Sequence, residues 1–338
     1  MKQLLVFFLF LHLIPVFSLE LKLDSESDFR LSDCRHEKFD NLSRLYLSQT
    51  GNNHYEQIAL KSYYHDDDGN FSLDRAYLEC YRGDSTYVAG KQRIFWGIPL
   101  VFNFADIFTL PDLTDPKKER DGVKALKFRQ SLGQTSRLEL VTTDRDHCHN
   151  DQAGRYTFTR GRFEYMLNLL SHHLDLSPIM PDLHLSSRDL VLEFKGEVKV
   201  GIWGELALKH VDLNQPLNLA FAPHRQLISV LGMDYTFDVH GRSLYLMAEG
   251  YRNNDTGDKA CYLNPRFQIT QTVSASAHVY KDLLNRGSYR GGGIEYVLND
   301  FYTLGLEYRC SRKLTSQVLL TTAMNDGDEI VFSVKASF

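Results

Sequence analysis

Two short runs of the sequence combine side chains that could bind a metal ion. His147-Cys148-His149 has aspartates close by on both sides and offers ligands for a soft metal. Side chains of adjacent residues diverge on an extended chain, so these three do not converge readily on one ion. The acidic run 65–70 offers carboxylates for calcium but lacks the alternating spacing and the distal glutamate of an EF-hand. We therefore interpret both runs as solvated loops, and the sequence predicts no metal site and no cofactor.

Residues that could act in catalysis or hold a phosphate form no recognisable constellation. A G-x-S-x-G motif does not occur, and Glu249 and the scattered histidines complete no Ser/His or Asp/His set. Gly291-Gly292-Gly293 has no helix pattern after it, so we expect a strand that bends or lets a neighbour approach closely. His172-His173 is interpreted as part of an irregular loop. The sequence therefore predicts a protein that is not an enzyme.

The composition excludes several functional classes. The chain of 338 residues has a formal net charge of -5, with 43% hydrophobic and 24% charged residues. A nucleic-acid-binding protein is expected to carry a basic excess, which this chain lacks. The polar content is too high for a bundle of membrane-spanning helices, and the apolar content is too high for a disordered chain. The five cysteines are odd in number and include no C-x-x-C pair, so they form no disulfide framework.

The N-terminus has the features of a secretory signal peptide. Lys2 precedes an apolar run over 4–17, and the small residue Ser18 follows it. This run is shorter than the ~20 apolar residues that a spanning helix needs. We expect residues 1–18 to be removed and residues 19–338 to form one domain.

After the signal peptide, short segments alternate apolar and polar residues. Almost all apolar residues of 329–338 share one face, and in 302–310 Tyr, Leu and Cys alternate with Thr, Gly, Glu and Arg. A period of two places each set on one side of a β-sheet. A soluble sandwich gives the same alternation, but segments of roughly 10 residues with charges in the middle match tilted membrane strands. The pattern therefore favours an all-β fold, a membrane-spanning antiparallel β-barrel with a polar interior.

The predicted connections between strands alternate in length. Short joins are expected near Gly83 and Gly133, whereas the link 95–120 is long. Short periplasmic turns and longer outer loops are the pattern of bacterial outer-membrane barrels. The sequence indicates about 16 strands, and roughly 14 to 18 are compatible with the pattern. The segments 155–187 and 261–288 are ambiguous.

The last residue, Phe338, closes an amphipathic segment. This end resembles the C-terminal signal of Gram-negative outer-membrane β-barrel proteins, which the barrel-assembly machinery is thought to read. The resemblance implies insertion into the cell outer membrane. It also implies three partners, namely outer-membrane lipid, lipopolysaccharide and the barrel-assembly machinery.

A second resemblance covers about 40 residues between Ala89 and Arg129. Its motif residues are Ala89-Gly90-Lys91-Gln92-Arg93-Ile94-Phe95-Trp96-Gly97, Phe102 to Phe108, Pro111-Asp112, Glu119 to Val123 and Ala125-Leu126-Lys127. The segment resembles one in porin-like outer-membrane proteins. There a G(R/K)Q-x-x-x-WG strand runs into a long loop with an N-x-x-D-x-F core, and an R-x-G-V-x-A-L strand follows. The resemblance implies a porin-like fold and leaves the transported solute open.

The link 95–120 is long for a loop without secondary structure, which is usually a sign of function. Its large apolar side chains need something to pack on, so exposure to water is unfavourable. One interpretation is a loop that folds inward and narrows the pore, as a comparable loop does in general porins. The other is a loop over the rim, or a strand that extends above the membrane. Asp106 and Asp112 would place carboxylates in or over the pore.

Directing the polar faces inward gives a basic wall opposite an acidic wall. The candidates for pore lining or constriction are Lys91, Arg93, Asp106, Asp112, Arg75, Arg129, Arg137, Glu205, Glu249 and Glu307. Such a transverse field favours polar or charged solutes over apolar ones. The same charges could instead form neutralising salt bridges that plug a narrow barrel, and the width of the interior decides between the two.

The sequence therefore predicts a porin-like outer-membrane channel that passes small hydrophilic solutes. The alternative is a structural or polysaccharide-exporting barrel without general pore activity. The expected partners are small polar solutes and the lipid and assembly partners named above, with no nucleic acid. The oligomeric state stays open.

Overall fold

The computed structural model describes residues 17–32, 37–53, 56–67, 70–108, 122–144, 150–175, 184–213, 225–284, 286–312 and 327–337, with the backbone alone for 17–74, 174–175, 184–185, 213 and 336–337. The strands in these ranges are β1 (Phe17–Ser32), β2 (Glu37–Asn53), β3 (Glu56–Asp67), β4 (Asn70–Arg82), β5 (Ser85–Gln92), β6 (Val123–Ser131), β7 (Ser136–Thr143), β8 (Gln152–Arg160), β9 (Phe163–Asp175), β10 (His184–Glu197), β11 (Gly201–Leu213), β12 (Arg225–Val239), β13 (Arg242–Asn253), β14 (Lys259–Gln268), β15 (Val273–Asp282), β16 (Ser288–Val297), β17 (Tyr302–Arg312) and β18 (Gly327–Ser337). The described ranges contain no helix long and apolar enough to cross a membrane. Removal of residues 1–18 stays a prediction.

The described strands form one 18-stranded antiparallel sheet. Each strand pairs with its neighbours in the chain, and β1 pairs with both β2 and β18. The closing pair runs from Asp24 opposite Ser337 to Ser32 opposite Glu329. Because β1 and β18 are joined, the sheet closes into a ring, which removes the free edges of an open sheet. The predicted all-β antiparallel barrel is confirmed, and its strand number lies at the upper limit of the predicted range.

The connections give the barrel two different ends. Short turns join strands at 83–84, 132–135, 161–162, 198–200, 240–241, 269–272 and 298–301, and we call this the short-turn end. Longer links lie opposite, at what we call the long-loop end, and the link after β5 is the longest of them. Gly83 and Gly161 have φ angles of 56° and 65° in their turns, which glycine adopts at little cost. The short joins predicted near Gly83 and Gly133 are confirmed.

Exposed apolar and buried polar side chains alternate along the strands. On β11, Leu206 is 40% exposed whereas Glu205 is 4% exposed and Ala207 is fully buried. On β17, Leu306 is exposed and Arg309 is buried. A barrel with apolar side chains outside and polar side chains inside is suited to lipid around it. The predicted alternation of the two faces is therefore present in the structure.

Aromatic side chains occupy the outer surface near the short-turn end. The rings of Phe158 and Tyr165 stack with centroids 5.0 Å apart, and Tyr235 meets Phe237 edge-on at 4.6 Å. Phe301 is exposed in the last of these turns. Girdles of this kind flank the apolar band of outer-membrane barrels, where the ring lies between lipid and water.

The ambiguous stretch 155–187 forms regular strands, and the interpretation of His172-His173 as an irregular loop is wrong. Both histidines lie within β9. The inward His172 places Nε2 3.2 Å from Oδ2 of Asp189 on the neighbouring strand. Because the barrel interior is polar, a histidine within a strand can find a carboxylate partner there. The two histidines therefore do not need a loop to reach a polar environment.

The triple glycine lies in β16 and allows a neighbouring ring to come close. A Cβ atom at Gly291 would lie 2.2 Å from Nε2 of His278, whereas at Gly292 the nearest atom would be 3.4 Å away. Gly291 therefore makes room for the imidazole, which stacks on Tyr289. From the sequence we expect this strand either to bend or to let a neighbour approach closely, and the contact with His278 is such a close approach.

Candidate functional site

The segment 93–108 leaves the end of β5 and crosses the interior of the barrel. It contacts Glu139 on β7, Glu193 on β10, Glu249 on β13 and Tyr280 on β15. One segment can touch strands that lie so far apart around a closed ring only if it runs inside the ring. Of the two interpretations of the link 95–120, the structure therefore has the inward one for its described residues.

Glu249 holds the middle of the segment. Its Oε1 accepts the N–H of Leu100 at 2.6 Å, and its Oε2 accepts those of Val101 at 2.9 Å and Phe102 at 3.3 Å. The indole Nε1 of Trp203 donates to Oε1 at 3.1 Å. A buried carboxylate needs several donors to be stable away from water, and three successive backbone N–H groups supply most of them.

Two further glutamates hold the segment on either side of this point. Oε1 of Glu193 accepts the N–H of Ile98 at 2.8 Å, and Oε1 of Glu205 accepts that of Phe104 at 2.8 Å. The other oxygen of Glu193 pairs with Arg155 at 2.8 Å. Backbone N–H groups in an irregular segment have no strand partner, so inward carboxylates on the wall satisfy them.

Trp96 fixes the start of the segment. Its indole N–H donates to Glu139, and the guanidinium of Arg155 lies 4.7 Å above its ring. Its ring meets Phe108 edge-on at 5.4 Å. Trp96 is fully buried, so these contacts replace the water that the indole and the cation would otherwise bind.

Aromatic packing carries the segment across to the far wall. The ring of Phe102 stacks on Tyr251 at 5.4 Å and contacts Tyr280 at 5.9 Å. Phe104 stacks on the same Tyr251 at 5.5 Å and lies under the ammonium of Lys209. These rings belong to the apolar cluster inside the barrel, so they stabilise the segment where backbone pairing is absent.

A compact turn shapes the segment locally. The side-chain amide of Asn103 donates to the carbonyl of Trp96 at 2.7 Å, and its oxygen accepts the N–H of Asp106 at 3.0 Å. Gly97 has a φ of 95°, and a Cβ there would overlap the amide of Asn103. The glycine and the asparagine of the motif therefore serve the same turn. Asp106 is buried, and one of its oxygens accepts the N–H of Phe108 at 3.2 Å.

The predicted acidic candidates are used in different ways. Glu205 and Glu249 bind the segment, and Asp106 lies within it. Glu307 lies apart on β17, where it contacts Arg309 at 3.1 Å and His278 at 3.7 Å. Asp112 lies outside the described residues. The structure thus brings three of the acidic candidates together at the segment, and their part in a pore stays a prediction.

The predicted basic candidates are mostly separate from the segment. Arg129 pairs with Glu139 at 2.9 Å, and Arg137 pairs with Glu164 at 3.3 Å. Lys195, on β10, joins Glu164 at 2.8 Å. The side chains of the three cations are 43%, 48% and 52% exposed, so they face water while their carboxylate partners are largely covered.

Three basic candidates remain near the start of the segment. Arg75 is buried on the inner face of β4, and Arg93 follows the end of β5. Lys91 lies opposite Ala76 and Lys124, on the outer face that also carries Ala89. The expectation that Lys91 lines the interior therefore needs correction, because the pairing register turns this position outward.

Tyr251, Tyr280, Arg155 and Asn168 also belong to the site, although sequence reasoning did not single them out. Asn168 donates to Glu193 at 2.6 Å and accepts from Arg155 at 2.6 Å. In the sequence, only the alternation of polar and apolar residues indicates that these side chains point inward. The alternation marks a residue as interior but does not show which interior residues meet.

A cluster on β9 to β11 tests the possibility of catalysis. The Ser187 hydroxyl donates to Asp189, and His172 contacts the other oxygen of that carboxylate at 3.2 Å. In a hydrolytic triad the histidine lies between serine and acid and takes the serine proton. Here the carboxylate of Asp189 contacts both side chains and no hydrogen bond joins Ser187 to His172, so the arrangement differs from that of a triad. Among the described residues no three His, Cys, Asp or Glu side chains could hold a metal ion, and 145–149 lie outside them.

No sequence family and no curated protein matches this chain. Solved structures match in fold. One is a loop-deletion mutant of OmpT, an outer membrane protein of Vibrio cholerae, with 10% identity, a TM-score of 0.57 and coverage of 96% of this chain and 100% of that chain. The trimer form of OmpT has 9% identity and a TM-score of 0.53, and the match covers 96% of this chain and 100% of that chain. A mutant of the Rh. blastica porin has 10% identity, a TM-score of 0.54 and coverage of 95% and 100%.

Identities near 10% show a common fold and nothing finer. The matched proteins are outer-membrane barrels, and each is covered over its full length. The chain therefore has the fold of an outer-membrane β-barrel, and its segment 93–108 is held across the interior.

Proposed function

We propose that this protein is an outer-membrane channel that passes small hydrophilic solutes past the inward segment 93–108. The observation that carries the proposal is the fixing of that segment by Glu193, Glu205 and Glu249 on three strands of the opposite wall. A segment held at so many points narrows the interior without closing over the rim. A constriction of fixed width is what a passive channel needs to select by size.

The outer surface supports the proposed location in the outer membrane. The exposed side chains in mid-strand are apolar, as in Leu206 and Leu306, and aromatic rings lie near the short-turn end. Lipid-facing apolar side chains and interfacial rings are the features of outer-membrane barrels. Closure of the sheet satisfies the backbone hydrogen bonds, which lipid cannot do.

The water-facing charges of the interior support passage of polar solutes. Arg129, Arg137 and Lys195 are about half exposed on neighbouring parts of one wall. They share Glu139 and Glu164, so three cations face two carboxylates. A wall of this kind retains water and admits hydrated solutes, whereas an apolar wall would favour drying of a narrow passage.

A structural or polysaccharide-exporting barrel without general pore activity is the second candidate. The observation in its favour is the extent of the inward packing, which reaches from Glu139 on β7 to Tyr280 on β15. A segment that covers so much of the wall leaves room for a passage only on the remaining side. The two candidates therefore differ in whether the folded barrel conducts ions.

Conductance of the refolded full-length chain in planar lipid bilayers decides between them. The channel proposal expects steady ohmic steps, and removal of residues 102–108 should raise the step size because it deletes the centre of the constriction. The control replaces the short-turn residues His240-Gly241 by Asn-Gly, which lies far from the segment and should leave the step size unchanged. If both wild type and the loop deletion insert correctly but remain silent, the channel proposal fails and the second candidate stands.

A further inference from the structure

On the described strands β10 to β16, six basic side chains lie on the outer surface of the barrel near its long-loop end. They are Arg188 on β10, Arg225 on β12, Arg252 on β13, Lys259 on β14, Lys281 on β15 and Arg290 on β16, and we call them the basic collar. All six are exposed. Each lies within the five terminal residues of its strand at that end.

The alternation places the basic collar on the outer face of its strands. On β13, Arg252 follows the inward Tyr251, and it lies directly opposite Lys259 on β14. On β10, Arg188 precedes the buried Asp189 and lies opposite His210, which in turn lies opposite Arg225. The pairing register therefore carries the basic side chains from strand to strand around the outside of the barrel.

The charge of the basic collar is not neutralised within the described part of the protein. None of its six side chains forms an ion pair with a described carboxylate. Four described aspartates at the same end have other partners: Asp212 contacts His210, Asp255 accepts the N–H of Leu227, Asp258 accepts the hydroxyl of Thr256 and Asp328 pairs with Arg312. As far as the described residues are concerned, the collar is therefore available to an anionic partner.

The opposite end of the same strands looks different. Along the described β10 to β17, Arg242 is the basic residue of the outer face at the short-turn end. Aromatic rings such as Tyr235 and Phe237 lie there instead. A general need for solubility would place cations at both ends, so the asymmetry indicates a surrounding that is more anionic at the long-loop end.

The outer surface is concave beside Arg188. A depression of 1040 Å³ runs across the outer faces of β4 to β11, and its apolar lining includes Leu140, Leu169, Leu190 and Leu208. Arg188, near the long-loop end of β10, is one of its lining residues. An apolar depression in lipid is filled by acyl chains, and a guanidinium near that end of the barrel lies where the chains meet their headgroup.

We propose that the basic collar binds the phosphate groups of phosphorylated lipids in the leaflet around the long loops, with acyl chains of one such lipid in the depression beside Arg188. Guanidinium groups bind phosphate through paired N–H donors, and lysine adds a point charge. The ligand that we propose is a lipid and not free phosphate, because the cation Arg188 adjoins an apolar depression that only acyl chains would fill. The proposal does not depend on channel activity.

Lipid retention by the folded full-length protein tests the proposal. The protein in detergent micelles is titrated with bis-phosphorylated lipid A and, separately, with dephosphorylated lipid A, and bound lipid is counted by native mass spectrometry. The variant R252Q/K259Q/K281Q should retain the phosphorylated lipid at least ~10-fold more weakly, since each cation near an anionic lipid surface contributes roughly fivefold. Binding of the dephosphorylated lipid should not change. The matched control R242Q, on the same face at the opposite end, should behave as wild type.

Three results would overturn the proposal. They are wild-type retention by the triple variant, an equal loss in R242Q, and displacement of the lipid by millimolar inorganic phosphate. If the triple variant does not fold, as judged by heat-modifiable migration, R188Q/R225Q provides the same test from other strands. Conductance of the same samples separates this proposal from the channel proposal, because collar variants should conduct as wild type does.

Discussion

Replacing Glu249 by alanine should release the inward segment while leaving the barrel folded. The carboxylate accepts the N–H groups of Leu100, Val101 and Phe102 and the indole N–H of Trp203. It lies on β13, far in sequence from the segment that it holds. Its removal therefore acts on the seating of the segment and not on the pairing of the strands.

The magnitude follows from the donors that lose their acceptor. Leu100 is exposed, so its N–H can turn to water, whereas Phe102 and the Trp203 side chain are buried. Each buried donor without an acceptor costs about 1–3 kcal/mol. Allowing for water that enters the polar interior, we expect the seated segment to lose about 3 kcal/mol, which changes the ratio of released to seated segment roughly 100-fold. Glu249→Gln keeps one acceptor oxygen and should lose less.

Tryptophan fluorescence measures this release directly. The chain has 2 Trp residues, and both lie at the segment: Trp96 within it and Trp203 against Glu249. Release should shift the emission of Glu249→Ala to the red and increase its quenching by acrylamide. In bilayers the variant should show noisier and larger conductance. Glu164→Gln is the control, because Glu164 contacts Arg137 and Lys195 instead. Wild-type emission and quenching in folded Glu249→Ala would refute the anchoring role.

Further substitutions test the faces, the glycines and the interior charge. Ala277→Arg, on the outer face of β15, should destabilise the barrel by ~2–4 kcal/mol near the membrane midplane, and Ser276→Arg, which points inward, should cost much less; equal losses in urea titrations would contradict the assignment of faces. Gly291→Ala should lower the free energy of unfolding by about 1–3 kcal/mol because the new methyl meets His278, whereas Gly292→Ala should be near neutral. Changing Arg129, Arg137 and Lys195 together to Gln should shift ion preference toward cations, which reversal potentials across a salt gradient report.

The barrel could be predicted because its signal is local. Leu206 and Glu205 show their opposite environments through the period-two pattern alone, and the joins at Gly83 and Gly133 are visible as breaks in that pattern. The number of strands is harder to predict from the sequence, because a regular strand with mixed polarity resembles a loop. His172-His173 in β9 is such a case.

The inward position of the segment 93–108 could not be settled from the sequence. Its apolar side chains require a covered surface, but an inner wall and a rim both provide one. The deciding contacts join residues 95, 101 and 149 positions apart, at Glu193, Glu205 and Glu249. No local pattern specifies which inward glutamate faces which backbone N–H group.

A count of interior charges overestimates the acidity of the barrel interior because the glutamates have two different roles. Glu193, Glu205 and Glu249 are buried and accept backbone N–H groups, so their charge serves to hold the segment. The cations at Arg129 and Arg137 keep much of their surface in water. An exposed charge acts on a passing ion within a Debye length of about 8–10 Å, whereas a carboxylate surrounded by N–H donors has most of its field compensated locally. In the proposed channel, the wall that faces a solute is therefore more basic than the sequence indicates, and the net charge of the chain does not decide which ion passes.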